Sequence, residues 1–141
     1  MNIENYHMDF NTILNSLSKN EFPSQSAYNE LMDKIDFNVD KDYLTFISKY
    51  NGAEGEIGNE QYLSLWNINN LLACNPYYED VEECSTLFFI GTDGSNYGYA
   101  FDKVTGNIVG IDFLDIGNAN PKTIAKSFPA FLESLNGKED E

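Results

Sequence analysis

Residues 86–113 read TLFFIGTDGSNYGYAFDKVTGNIVGIDF, and the spacing inside them decides the fold class. Three runs rich in aromatic and β-branched residues, 87–90, 97–101 and 108–113, are separated by two clusters of turn formers. Bulky flat or branched side chains pack well on a pleated surface, so the runs read as strands. In the first cluster, Gly91, Thr92, Asp93, Gly94, Ser95 and Asn96, glycine tolerates positive φ and the Asp and Asn side chains can bond adjacent backbone. The second, Lys103 with Val104, Thr105, Gly106 and Asn107, is a short reversal with Gly106 at the left-handed position. Connections this short make neighbouring strands antiparallel, which predicts a three-stranded meander. Alternation puts Tyr97, Tyr99 and Phe101 on one face, against helices. Gly98, Ala100 and Asp102 fall on the other, where small side chains leave room for close approach.

Upstream, Ile3, Tyr6, Phe10, Ile13, Leu14 and Leu17 recur at helical spacing and predict a first helix over 3–18. Pro23 and the serines around it end that pattern and cap a second helix, with Tyr28, Leu31, Met32 and Ile35 inward and Glu30 and Asp33 outward. Asp40 is the N-cap expected for a third helix over 41–50, burying Tyr43, Leu44, Phe46 and Ile47. Asn51 and Gly52 supply its stop. One or two strands are expected within 55–65, followed by Trp66 as a core residue and Asn67 as the cap of a short helix over 68–74, ended by Pro76. Residues 77–85, YYEDVEECS, read as a loop.

Downstream, 114–120 reads as a loop. Ile124, Ala125, Phe128, Phe131, Leu132 and Leu135 form the stripe of a C-terminal helix, with a break near Ser127 because Pro129 belongs in a first turn. The expectation is α+β: one domain over 1–137, a mixed, mostly antiparallel sheet with the meander at its centre, and N- and C-terminal helices packed on it. Residues 138–141 read as a frayed acidic tail. Gly52, Trp66, Gly91, Gly94 and Gly106 are assigned structural roles.

Length and composition agree with one domain. A chain of 141 residues with 42% hydrophobic and 14% aromatic residues can bury roughly 68–70% of its unfolded surface. Charge is the unusual property: 23 acidic residues against 8 basic ones, a formal net charge of −15. Such a molecule is repelled by nucleic acid and by anionic membrane surfaces and attracts basic partners. No basic residue stands between Lys49 and Lys103, yet that interval holds Glu54, Glu56, Glu60, Glu79, Asp80, Glu82, Glu83, Asp93 and Asp102.

The chemistry-bearing residues argue against an enzyme. His7 is the sole histidine and reads as a solvent-edge helix residue, which removes Ser–His and Cys–His pairs and two-histidine metal sites. Asp93, Asp102, Asp112 and Asp115 stand at strand ends and turns, where turn chemistry accounts for them better than acid–base catalysis. Asp93 to Asn96 lack the spacing of a calcium loop. Gly91, Gly94 and Gly98 do not match GxGxxG. Cys74 and Cys84 fit neither a CxxC pair nor a zinc knuckle. No cofactor and no metal is expected. Residues 1–19 lack the pattern of a secretion signal, and no apolar run is long enough to span a bilayer, so a cytoplasmic location with reduced thiols is expected.

The succession KDYLTFISKYNG, YLSLWNINNLL, LFFIGTDGSNYGYAFD and IAKSFPAFLESL resembles the SUKH superfamily, the Smi/Knr-type domain, over residues 28–135. The resemblance implies an α+β fold. It implies further that bacterial members are mostly immunity proteins, which bind a cognate polymorphic toxin, often a nuclease, and block it. Other members serve as protein-interaction modules. The charge meets this independently, because a nuclease presents a basic cleft for which an acidic surface can compete.

Exposed tyrosine beside carboxylate is the composition of an interface hot spot. The expected partner-binding residues are therefore Tyr77, Tyr78, Glu79, Asp80, Glu82, Glu83, Asp93 and Asn96. The function expected is stoichiometric occlusion of a basic toxin surface by a monomer or homodimer. The alternatives are a regulatory interaction module without a toxin, and a small-molecule binder using a pocket near Trp66.

Overall fold

The computed structural model describes residues 10–118 and 120–137. In chain order these form α1 (Phe10–Asn15), β1 (Ser18–Lys19), α2 (Gln25–Lys34), α3 (Lys41–Tyr50), β2 (Ala53–Ile57), β3 (Gln61–Leu65), α4 (Ile68–Glu79), β4 (Leu87–Thr92), β5 (Tyr97–Asp102), β6 (Ile108–Asp112), β7 (Lys122–Ala125) and α5 (Phe128–Asn136). Short 3-10 segments at Glu82–Cys84 and Phe113–Asn118 complete the chain. The strands make one seven-stranded sheet in sequence order. Every neighbouring pair is antiparallel. The meander read from residues 86–113 is its centre. The parallel component expected of a mixed sheet is missing from it, because each strand pairs with the next in sequence and no crossover intervenes.

Alternation along β5 divides the sheet as its sequence requires. Tyr99 and Phe101 face the larger core, where Phe88, Ile90, Leu63 and Leu65 meet Tyr43, Phe46 and Ile47 of α3 and Phe128, Phe131 and Leu132 of α5. The Tyr43 ring stands edge-on to Phe101 and to Phe128, with centroids 5.3 Å away in each case. On the opposite face Leu87, Phe89, Ala100, Val109, Ile111 and Cys84 form a second, smaller core. Gly98 lies beneath the Phe113 ring, in space that a Cβ would occupy. Trp66 is half-buried and packs against both cores.

Caps set the helix ends. Ser24, Asn67 and Ser127 accept the amides of Ala27, Asn70 and Ala130 at 3.0, 2.8 and 3.1 Å. Asp40 does more than expected of it. One carboxylate oxygen accepts the Asp42 amide at 2.8 Å and the other accepts the Phe128 amide at 2.6 Å, so a single side chain serves the N-termini of α3 and α5. At the far end of α3, Asn51 is left-handed (φ 33°) and its side-chain oxygen accepts the Ile68 amide at 2.8 Å. Gly52 follows at φ 98°, where a Cβ would press on the backbone of Leu65 and Asn67. The NG pair thus stops α3 and starts α4.

Several expectations need correction. Residues 1–9, with His7, and the tail at 138–141 lie outside the described residues. The first helix stops at Asn15, because Ser16 and Leu17 turn back onto the Ile13 and Leu14 carbonyls and the Lys19 ammonium bonds the Leu14 and Leu17 carbonyls. Ser18 and Lys19 then pair with β2. Leu44 is half-buried, while Phe46 is fully inside. Ile124 and Ala125 belong to β7 and not to the C-terminal helix, because Lys122 to Ala125 complete the edge of β6. Residues 113–118 form two short 3-10 turns broken at Asp115 (φ −127°, ψ 31°), where a loop is expected over 114–120. Gly91 stands within β4, not in the turn, where its bare Cα lets β3 approach.

Candidate functional site

The acidic segment is built on α4, which runs through Pro76 to Glu79. The helix was expected to end there, since proline removes one intrahelical hydrogen bond and crowds the preceding turn. Tertiary bonds carry it onward. Asn75, 4% exposed, accepts the Phe89 amide at 2.6 Å and donates to the Phe89 and Leu71 carbonyls at 3.0 Å each. One turn on, the Tyr78 ring packs 4.7 Å from Phe89 and stacks on Phe113 at 5.3 Å.

The two tyrosines therefore separate. Tyr78 is half-buried and belongs to the smaller core, and burial, followed by the neighbouring Cys74, Tyr77 and Cys84, pushes its hydroxyl pKa up. It is a packing residue and not the exposed loop tyrosine expected. Tyr77 is 70% exposed, its ring edge-on to that of Tyr78 at 5.2 Å.

Glu79 closes α4 and Asp80 is its C-cap, with no basic residue in the last turn. Carboxylates at this end oppose the helix dipole. Glu82 and Glu83 follow on the 3-10 turn. Asp80 and Glu82 are exposed and Glu83 is half-buried. The group is not wholly uncompensated, because the sheet brings Lys103 to 3.7 Å from Glu79 and 3.6 Å from Asp36. The Lys103 ammonium also sits 5.8 Å over the Phe37 ring.

Asp93 and Asn96 lie elsewhere. They belong to the turn after Thr92, whereas Glu82 and Glu83 precede Leu87, so β4 separates them by roughly 17–20 Å. One Asp93 oxygen accepts the Ser95 and Tyr97 amides at 2.9 and 3.2 Å, and the Asn96 carbonyl accepts the Phe113 amide at 2.8 Å. Both shape the hairpin. Beside them an open groove of about 1120 Å³ is lined by Asp93, Tyr97, Tyr99, Lys122, Ile124 and Leu135 among others. Burial first, then Asp93 and Tyr97, push the Tyr99 pKa up to about 12. Trp66 does not line this groove.

Burial, then Glu83, raises the Cys84 thiol pKa, which keeps it in the poorly nucleophilic protonated form. Among the described residues no group of three or more His, Cys, Asp or Glu could hold a metal ion, and no helix is long and apolar enough to cross a membrane. The sequence reading missed Asn75, whose polar side chain within an apolar run was the available signal, and the 3-10 turn after β6 with Leu114, 77% exposed.

A family model described as SMI1 / KNR4 family (SUKH-1) matches residues 23–134. No curated protein matches the chain.

Proposed function

The chain belongs to the SMI1 / KNR4 family (SUKH-1), and on that premise we propose that it is an immunity protein, one that binds a cognate toxin stoichiometrically and blocks it in the cytoplasm. The surface is the end of α4 with the 3-10 turn beyond it, carrying Glu79, Asp80, Glu82 and Glu83 beside Tyr77. The partner presents a basic surface, as the phosphate-binding cleft of a nuclease does.

The observation that carries this reading is electrostatic. Glu79 and Asp80 occupy the negative end of α4 with no basic residue in its last turn, where charge of the same sign lowers the stability of the isolated protein. Lys103 answers Glu79 alone within this group. A fold under selection for stability gains nothing from Asp80 at the negative end of α4, and Glu82 and Glu83 add to the same charge, whereas a basic partner would turn that repulsion into attraction and faster association.

The test is co-expression with the product of the adjacent reading frame, followed by co-purification and a viability assay. Wild type is expected to co-purify and protect, and the Glu82→Lys/Glu83→Lys variant to associate more slowly and protect less. Undiminished protection by that variant would remove this surface from the mechanism.

A further inference from the structure

Among the described residues, two of the most exposed large apolar side chains, Tyr77 at 70% and Leu114 at 77%, are connected through the packed rings of Tyr78 and Phe113 and the chain bond from Phe113 to Leu114. Tyr77 stands edge-on to Tyr78 at 5.2 Å, Tyr78 stacks on Phe113 at 5.3 Å with 12° between the planes, and Leu114 follows Phe113 in the chain. Phe113 in turn lies on Gly98, and the Leu114 amide donates to Asp112 at 2.9 Å. The two exposed groups thus rise from a stacked base fixed to the sheet. They do not hang on a loop tip.

We propose that Tyr77 and Leu114 form the apolar centre of the partner-binding surface, and that its occupant is a protein presenting an apolar pocket rimmed by lysine or arginine side chains. The inference rests on the immunity reading for the identity of that protein and deepens it by naming what the acidic residues surround. Charge complementarity selects the occupant. Asp80 and Glu82 follow Tyr77 on one side, and Asp112 precedes Leu114 on the other. No lysine occurs between Lys103 and Lys122, and Lys103 is held by Asp36 and Glu79.

An apolar centre within a charged rim is the anatomy of a specific interface, whose centre supplies most of the affinity and whose rim sets the encounter rate. A second copy of this chain would bring like charges together and is disfavoured. Because the stacked base holds the Tyr77 ring in place, little of that side chain's freedom is lost on docking.

The experiment measures association and dissociation rates between the full chain and the purified toxin domain encoded by the adjacent reading frame, at low and at physiological salt. Tyr77→Ala with Leu114→Ser is expected to weaken binding by about thirtyfold or more, the usual size of a hot-spot loss. The loss should come through faster dissociation, with the salt dependence unchanged and the melting temperature lowered by no more than about 5 °C for the lost ring contact with Tyr78. Val104→Ser, at a side chain 79% exposed on the β5 to β6 turn, is the control and should bind as wild type does. Binding of the double variant within about threefold of wild type would reject the apolar centre. If Glu82→Lys/Glu83→Lys still weakened binding in that case, the acidic surface would stand without it. Failure of wild type to bind the domain at all would overturn both.

Discussion

Replacing Asn75 with leucine should destabilise the protein out of proportion to the small change in shape. β3 reaches β4 at Ser64↔Thr92 and Leu65↔Gly91, the Trp66 amide donates to the Ile90 carbonyl at 2.9 Å, and past that point the Asn75 side chain takes the place of the missing strand. It accepts the Phe89 amide at 2.6 Å and donates to the Phe89 carbonyl at 3.0 Å. Leucine leaves both backbone groups buried without these partners, at about 1–3 kcal/mol each. Extra apolar burial returns about 1–2 kcal/mol, so a net loss of about 1–4 kcal/mol is expected, a large part of the ~5–15 kcal/mol that holds a domain together. Urea unfolding followed by circular dichroism and by Trp66 fluorescence measures it, and a loss below about 1 kcal/mol would refute the reasoning. Asn75→Asp adds a pH signature. A carboxylate still accepts the Phe89 amide but has no donor for the carbonyls, so folding favours the protonated acid and raises the introduced pKa above its unfolded value of about 3.9. Stability is then retained below about pH 4 and lost as pH rises through the folded value. The gap between variant and wild type should widen from about pH 4 to about pH 7, and a constant gap would count against the donor role.

Asp40→Asn should lower stability by about 1–3 kcal/mol and the melting temperature by several degrees. Its amide oxygen can serve the Asp42 or the Phe128 amide, while its NH₂ group confronts the other; calorimetry showing an unchanged melting temperature would contradict the double cap. At high pH the buried phenols come into play, since burial raises Tyr43 far above its ordinary value of 10 and Tyr99 to about 12. The stability tied to their protonation is complete below pH 10 and is lost as pH climbs through about 12 and beyond. The Tyr43 hydroxyl has no hydrogen-bond partner among the described residues. Tyr43→Phe should therefore be equal to wild type or up to about 1 kcal/mol more stable at pH 7, and should unfold at higher pH in an alkaline titration. Earlier alkaline unfolding would show that the hydroxyl is needed.

What could be read in the sequence was what short stretches of chain decide. Ser24, Asp40, Asn67 and Ser127 each precede an apolar periodic run, and each is a cap in the structure. The meander was legible because its turns are short and its strands alternate. What escaped depends on partners distant in sequence. Ile124 and Phe128 are four apart, a helical interval, but β6 draws the first into an edge strand and only the second opens α5. Pro76 argued for a stop that Asn75 and Tyr78 override from β4 and the 3-10 turn. For the site, the run of carboxylates without lysine is real along the chain but incomplete in space, since the β5 to β6 turn returns Lys103 to Glu79. Tyr77 and Tyr78 look equivalent in the sequence, yet consecutive helical residues point about 100° apart. One ring faces solvent and the other the sheet.

That rotation makes α4 the element on which stability and recognition meet. Asn75 and Tyr78 are three apart and so share the helix face turned to β4, one by hydrogen bonds to Phe89 and the other by ring packing. Tyr77 lies between them in sequence and points away, so its position in space is set by two neighbours that pack on β4. Leu114 is placed in the same way from the other side, through Phe113 on Gly98. A change at Asn75 would therefore disturb partner binding by moving Tyr77 as well as by unfolding the protein, and lost binding in such a variant would not separate the two causes. Exposed groups at the end of the packed run give a cleaner division. Removing Tyr77 or Leu114 takes away contact surface and leaves the bonds of α4 to β4 intact, so a large loss of binding at those two positions comes with at most the small stability cost of the Tyr77–Tyr78 ring contact.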